Sequence, residues 1–188
     1  GHQRRHVADH RRDGAVMAVV YINPTAVTNG SGASLVDPRN TYTGVTWAAG
    51  NEYLQVEGTT HLGTVAPNAS GVSGNPITIG VCAAQTGERV YTKGAATIQG
   101  AAGEHGLNLG TRSYYVVDGL RCVAGSGTTR NGINGLATDA LTAHFITLRR
   151  VVAESPVGST GNGVQLRGAG DVIEDCVFEN CEQDGAFL

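Results

Sequence analysis

Residues 162–178 read NGVQLRGAGDVIEDCVF. Two short strand patterns meet in this stretch. The first opens on a glycine that follows a polar residue, Asn162-Gly163-Val164-Gln165-Leu166. The second is the mostly apolar run Val172-Ile173-Glu174-Asp175-Cys176-Val177-Phe178. Each has close counterparts elsewhere. The glycine-led pattern recurs at Gly106-Leu107-Asn108-Leu109, Gly132-Ile133-Asn134-Gly135 and Gly185-Ala186-Phe187-Leu188, preceded by His105, Asn131 and Asp184. The second pattern recurs at Val116–Cys122 and Thr147–Ala153, anchored on Val117, Leu148 and Ile173. Two independent series thus share one variable interval, within the range of repeat lengths that marks a stack of similar supersecondary units. Helical periodicity is absent within the unit, so the unit is strand, turn, strand, turn. The expectation is an all-β, right-handed, single-stranded parallel β-helix, a solenoid with an N-terminal cap region and an open C-terminal coil.

The register assigns side chains to the interior. Val117/Leu148/Ile173, Leu120/Val151/Cys176 and Cys122/Ala153/Phe178 form inward columns, as does Leu107/Ile133/Val164/Ala186. The step of three between the first two columns predicts a bend or bulge at Gly119, Arg150 and Asp175. Asn108, Asn134, Gln165 and Phe187 face outward, where amide ladders are expected at the inter-strand spacing.

Composition agrees with many short strands and tight turns. Glycine is 28 of 188 residues, about twice average usage. Charged residues are 15% and aromatics 5%. The length suffices for one domain with a real core. Residues 1–16 differ from the rest: they hold four arginines and three of the six histidines, and read as a disordered leader or tag before Met17. His2, His6 and His10 would share a helix face, a pattern outweighed by the disordered reading. Residues 17–100 read as the N-terminal cap and first coils, and residues 101–188 as the regular coils.

The net charge of −3, and six acids without a base from Gly168 onward, argue against a nucleic-acid partner. No apolar run is long enough for a membrane-spanning helix. Cys82, Cys122, Cys176 and Cys181 fit no zinc spacing and read as small apolar residues.

The opening strand Val20-Tyr21-Ile22-Asn23-Pro24, the segment Ala48-Ala49-Gly50-Asn51-Glu52-Tyr53-Leu54-Gln55-Val56-Glu57-Gly58-Thr59-Thr60 and the turn Gly74-Asn75-Pro76-Ile77-Thr78-Ile79 resemble the pectate-lyase-like superfamily of right-handed parallel β-helix proteins. Within it they are most similar to bacterial and phage tailspike-type proteins. The resemblance covers roughly residues 19–188 and rests on structural motifs. It implies a carbohydrate-active protein that binds or cleaves a polysaccharide along an outer face. The alternative is a non-catalytic structural or glycan-binding module of a phage tail or bacterial surface assembly. A virion-associated, secreted or cell-surface location follows from either.

Candidate residues come from the outward columns. Glu154 and Glu179 are expected side by side on stacked strands, and two carboxylates about 5 Å apart suit a retaining glycosidase, as nucleophile and acid. Their repulsion would favour a proton on one of them. Substrate contacts are assigned to Asn108, Asn134, Gln165 and Arg149. Asp118, Arg149 and Glu174 alternate in sign and read as a charge ladder. A lyase would use Arg121, Arg149, Arg150 or Arg167 as base. Asp171, Glu174, Asp175 and Glu179 could then hold Ca²⁺, although no calcium-loop spacing is present, so no cofactor is assigned. His61, His105 and His144 are scattered, and His144 reads as structural. Trp47, Tyr53, Tyr91, Tyr114, Tyr115 and Phe187 are the candidate sugar platforms, with Trp47 closing the hydrophobic end of the stack. Gly185–Leu188 resembles the start of a further coil, and covering it by the same coil of another subunit predicts a homo-oligomer.

Overall fold

A computed structural model describes residues 17–127, 130–136, 144–156, 161–181 and 184–187. The described residues are all-β and contain no helix. The strands are β1 (Val19–Ile22), β2 (Glu52–Val56), β3 (Thr60–Leu62), β4 (Ile77–Cys82), β5 (Arg89–Val90) and β6 (Ala96–Gln99). They continue with β7 (Leu107–Gly110), β8 (Tyr115–Asp118), β9 (Leu120–Val123), β10 (Ile133–Leu136) and β11 (Ile146–Arg149). The last are β12 (Val152–Glu154), β13 (Val164–Arg167), β14 (Val172–Glu174), β15 (Val177–Glu179) and β16 (Ala186–Phe187).

These strands make three sheets of parallel strands, a solenoid-like arrangement. The first sheet runs β1-β2-β4-β8-β11-β14, the second β3-β6-β9-β12-β15 and the third β7-β10-β13-β16. The chain visits them in fixed order, one strand in each per circuit. β8-β9-β10, β11-β12-β13 and β14-β15-β16 are successive circuits, and β4-β6-β7 precedes them. An earlier circuit consists of β2, β3 and the single residue Val65, which bridges to Leu107 in parallel. Among the described strands, β5 alone pairs antiparallel, against β4.

Alternation at period two sends every second side chain inward, and parallel pairing in register stacks like on like. The first sheet contributes the inward column Val20/Tyr53/Ile79/Val117/Leu148/Ile173. The second contributes His61/Ile98/Cys122/Ala153/Phe178. The third contributes Leu107/Ile133/Val164/Ala186. The three columns converge on one continuous core from Ile22 to Leu166. Each fully buried Val, Leu or Ile in it contributes about 1.5–3 kcal/mol. Cys82 and Cys122 lie buried as small apolar residues; burial pushes both thiols up, that of Cys82 to about 11.

The predicted bend is a corner rather than a bulge. Gly119, Arg150 and Asp175 stack between the first and second sheets, all left-handed, with φ of 76°, 50° and 51°. A second left-handed column precedes the first sheet: Tyr114, Phe145 and Gly170 have φ of 59°, 52° and 84°. A Cβ on Gly170 would lie 2.5 Å from the Phe145 ring, so only glycine continues this column. Trp47 packs against the first circuit, buried, with its ring 4.2 Å from Tyr53 and stacked on Tyr42. The readings of residues 1–16, including His2, His6 and His10, fall outside the described residues, as do those of Leu188 and the Phe187 side chain.

Candidate functional site

The two left-handed columns frame the outer face of the first sheet. Between them β8, β11 and β14 each have four residues or fewer. The face there is about 13 Å wide at roughly 3.3 Å per residue. Its middle carries Thr78, Val116, Thr147 and Val172 in one register column, and Asp118, Arg149 and Glu174 in another.

At the entry corner the Tyr114 and Phe145 rings stack at 4.9 Å and 20°. That distance is the inter-strand spacing, so the pair is a product of the register. Non-glycine left-handed residues cost about 1–2 kcal/mol each, and two aromatic ones at one corner fix where the rings stand. They line a cavity of 290 Å³ together with Val72, Gly74, Pro76, Val116 and Thr147. Phe145 is 40% exposed.

The exit corner is charged. Asp118 is only 3% exposed. Arg150 donates from Nε to its Oδ1 at 2.9 Å and from Nη2 to Oδ2 at 2.5 Å, a bidentate pair. Arg89 reaches the same carboxylate at 3.1 Å and Glu52 at 3.4 Å. Gly80 makes room for it, since a Cβ there would stand 3.1 Å from the guanidinium. Tyr91 lies over both arginines, 5.7 Å from Arg89 and 5.1 Å from Arg150. Lys93 pairs with Asp175 at 2.5 Å. The expected charge ladder is therefore only half formed. Arg149 does pair with Glu174 at 2.7 Å, but Asp118 takes Arg150 and Arg89 instead of Arg149.

The remaining sequence candidates lie on the other two sheets. Glu154 and Glu179 are direct register partners on the second sheet. Glu154 is 7% exposed. Arg121 stands between the two, in an ion pair with Glu154 and 3.0 Å from Glu179. Glu154 Oε1 is buried without a well-directed hydrogen bond, so its compensation among the described residues is the Arg121 charge. That cation offsets the repulsion expected between the carboxylates. Asn108, Asn134 and Gln165 stack on the third sheet. Their side-chain oxygens accept bonds within the fold: Asn134 donates to Asn108 at 3.0 Å, and Asn131 donates to Asn134 at 3.2 Å and to Gln165 at 2.7 Å. The residues assigned from sequence thus fall into three groups on three faces.

Several aromatic candidates are corrected. Tyr53 and Tyr115 are fully buried core residues and offer no platform; Tyr91 and the Tyr114 corner remain. His144 is buried, its Nδ1 3.2 Å from Asp171, which also accepts the Ile146 backbone N–H at 2.8 Å. Asp171 is therefore engaged, and among the described residues no three His, Cys, Asp or Glu side chains gather as a metal site. Phe145 and the bridging role of Arg121 were not singled out from sequence. The signal for Phe145 was present: it follows Tyr114 at the same interval that separates Val117 from Leu148.

No protein-family model and no curated protein matches the sequence. Among solved structures, the GH136 lacto-N-biosidase from Eubacterium ramulus is similar, with a TM-score of 0.56 and 15% identity. The match covers 83% of this chain and 34% of that one, so this chain spans about a third of its length. The likeness is one of fold.

Proposed function

We propose that this chain is a right-handed parallel β-helix that binds a glycan across the outer face of its first sheet. The observation that carries the reading is the apolar cavity under Tyr114 and Phe145, set beside Thr147 and a row of hydrogen-bonding side chains that ends at Tyr91. Rings supply apolar contact, and hydroxyl, carboxylate and guanidinium groups supply directional bonds, the combination expected of a small-molecule or sugar site. The similar fold of a lacto-N-biosidase supports a carbohydrate ligand.

A second reading, cleavage, rests on the direct pairing of Glu154 and Glu179, whose register suits a retaining glycosidase. Binding is favoured, because Arg121 engages both carboxylates and they lie on a different sheet from the aromatic cavity.

The test is retention in gels carrying a panel of polysaccharides, with reducing-end release measured in parallel. Phe145→Ala and Tyr91→Ala are expected to weaken binding about tenfold, the equivalent of about 1.4 kcal/mol. Binding unchanged in both variants sinks the reading. Turnover abolished by Glu154→Gln and Glu179→Gln establishes cleavage in its place.

A further inference from the structure

We infer that Glu174 determines ligand charge class, holding the first-sheet face for neutral glycans and excluding acidic ones. This rests on the binding reading above and deepens it.

The face and its exit corner carry the cations Arg89, Lys93, Arg149 and Arg150. Each is already matched by a carboxylate: Arg89 and Arg150 by Asp118, Arg149 by Glu174, Lys93 by Asp175. A uronate or sulfated sugar binds by offering its own anion to such cations. Here it would have to displace a resident one. Asp118 is buried, so stripping Arg150 from it leaves a desolvated charge short of its partner. The Tyr91 ring lies over Arg89 and Arg150 in addition.

Arg149 is the exception in geometry. Its side chain is 46% exposed, as against 19% for Arg89 and 28% for Arg150, and it lies beside the uncharged middle of the face, directly before Arg150 in the chain. Among the described residues Glu174, itself 52% exposed, is the carboxylate that occupies it. Without that carboxylate Arg149 would be a solvent-facing guanidinium near Thr147, which is what an acidic sugar needs. The chain's formal charge of −3 adds long-range repulsion of polyanions.

The experiment is gel retention against neutral polymers (dextran, xylan, mixed-linkage glucan) and acidic ones (polygalacturonate, hyaluronan). The wild-type chain is expected to be retarded by a neutral polymer and to pass acidic gels freely. Glu174→Gln is expected to gain at least threefold retention by an acidic polymer, and to lose that gain near 1 M salt, where the Debye length is about 3 Å. Glu104→Gln removes the same charge at an exposed site away from the face and should gain nothing; a thermal melt confirms that both variants are folded. Wild-type retention by acidic gels at least equal to that by neutral ones overturns the inference and leaves the binding reading standing. So does an absent gain in folded Glu174→Gln, or an equal gain in Glu104→Gln. Retention by no polymer overturns the binding reading and this inference with it.

Discussion

The backbone N–H of Asn162 donates to the side-chain oxygen of Asn131, one circuit away, at 2.9 Å. The same contact recurs up and down the stack. Asn131 N–H donates to His105 Nδ1 at 2.9 Å, and Asp184 N–H donates to Asn162 Oδ1 at 3.1 Å. The polar residue before each glycine-led strand therefore ties its circuit to the next, at a corner where the backbone leaves the sheet and its ladder bonds.

Asn131 carries most in this chain of contacts. It accepts from Asn162 and donates to both Asn134 and Gln165 while only 3% exposed. Asn131→Ala strands a buried N–H and two acceptors, and should cost about 2–3 kcal/mol in chemical denaturation. Asn162→Ala, with its side chain nearer the last described circuit, should cost less. An Asn131→Ala loss below about 0.5 kcal/mol, the low end for even a single net hydrogen bond, would show that the ladder is incidental.

Arg121 gives a second expectation. It holds Glu154 and Glu179 together from a position opposite Val152. Arg121→Met leaves two adjacent carboxylates facing each other, one of them buried. The variant should be destabilised, and adding Glu179→Gln should restore part of the loss. Because Arg121 and Glu179 are each about two-fifths exposed, their own pair contributes little in water. The diagnostic is the sign of the coupling: a double variant no more stable than Arg121→Met refutes the arrangement.

The sequence made some of this legible and concealed the rest, for physical reasons. From Gly106 onward inward columns such as Leu107/Ile133/Val164/Ala186 repeat openly, because every circuit there supplies one strand to each of the three sheets. Earlier circuits hide the period. Glu52, Thr78, Val116, Thr147 and Val172 are matched in register but unevenly spaced along the chain, and the interval from Thr78 to Val116 is the longest. That interval contains the β5 excursion, and one circuit earlier the third sheet is represented by Val65 alone. Column logic also fails for long side chains. Arg121 reaches diagonally to carboxylates outside its own column, and Arg150 reaches back to Asp118 from a corner, so neither partner follows from register. The amide ladder was readable as a ladder, but that its oxygens accept from neighbouring amides does not follow from register alone.

The left-handed corner Gly119/Arg150/Asp175 yields a backbone test. Glycine adopts this conformation freely, whereas Asp175 at φ 51° is strained by about 1–2 kcal/mol. Asp175→Gly removes that strain and loses an exposed ion pair with Lys93 worth about 0–1 kcal/mol. The variant should match or exceed the wild type in stability despite the added freedom of the unfolded chain. Gly119→Ala reverses the argument: the φ of 76° disfavours a side chain and the new Cβ would lie 3.2 Å from the Thr92 carbonyl oxygen. It should lose about 1–2 kcal/mol. Equal stability of Gly119→Ala and wild type would show that the corner is not constrained.

Acid sensitivity follows from two histidines. Burial pushes the imidazole of His61 down, where it packs edge-on against Tyr42 in the inward column of the second sheet. Burial first, and the Arg130 charge second, push down that of His105. His105 Nδ1 must also stay unprotonated to accept the Asn131 N–H. In both cases the unfolded chain binds a proton more readily than the folded one. Stability is then full above the unfolded value, near 6.5, and is lost as pH falls from there toward the lowered folded values. The melting temperature should drop between about pH 7 and pH 5. His105→Asn installs the residue found at the equivalent positions 131 and 162, an acceptor that does not titrate. It should keep the ladder contact at neutral pH and flatten the acid slope, with the remaining slope borne by His61. An unchanged slope in His105→Asn would mean that His105 does not carry the acid loss, which then originates elsewhere in the stack.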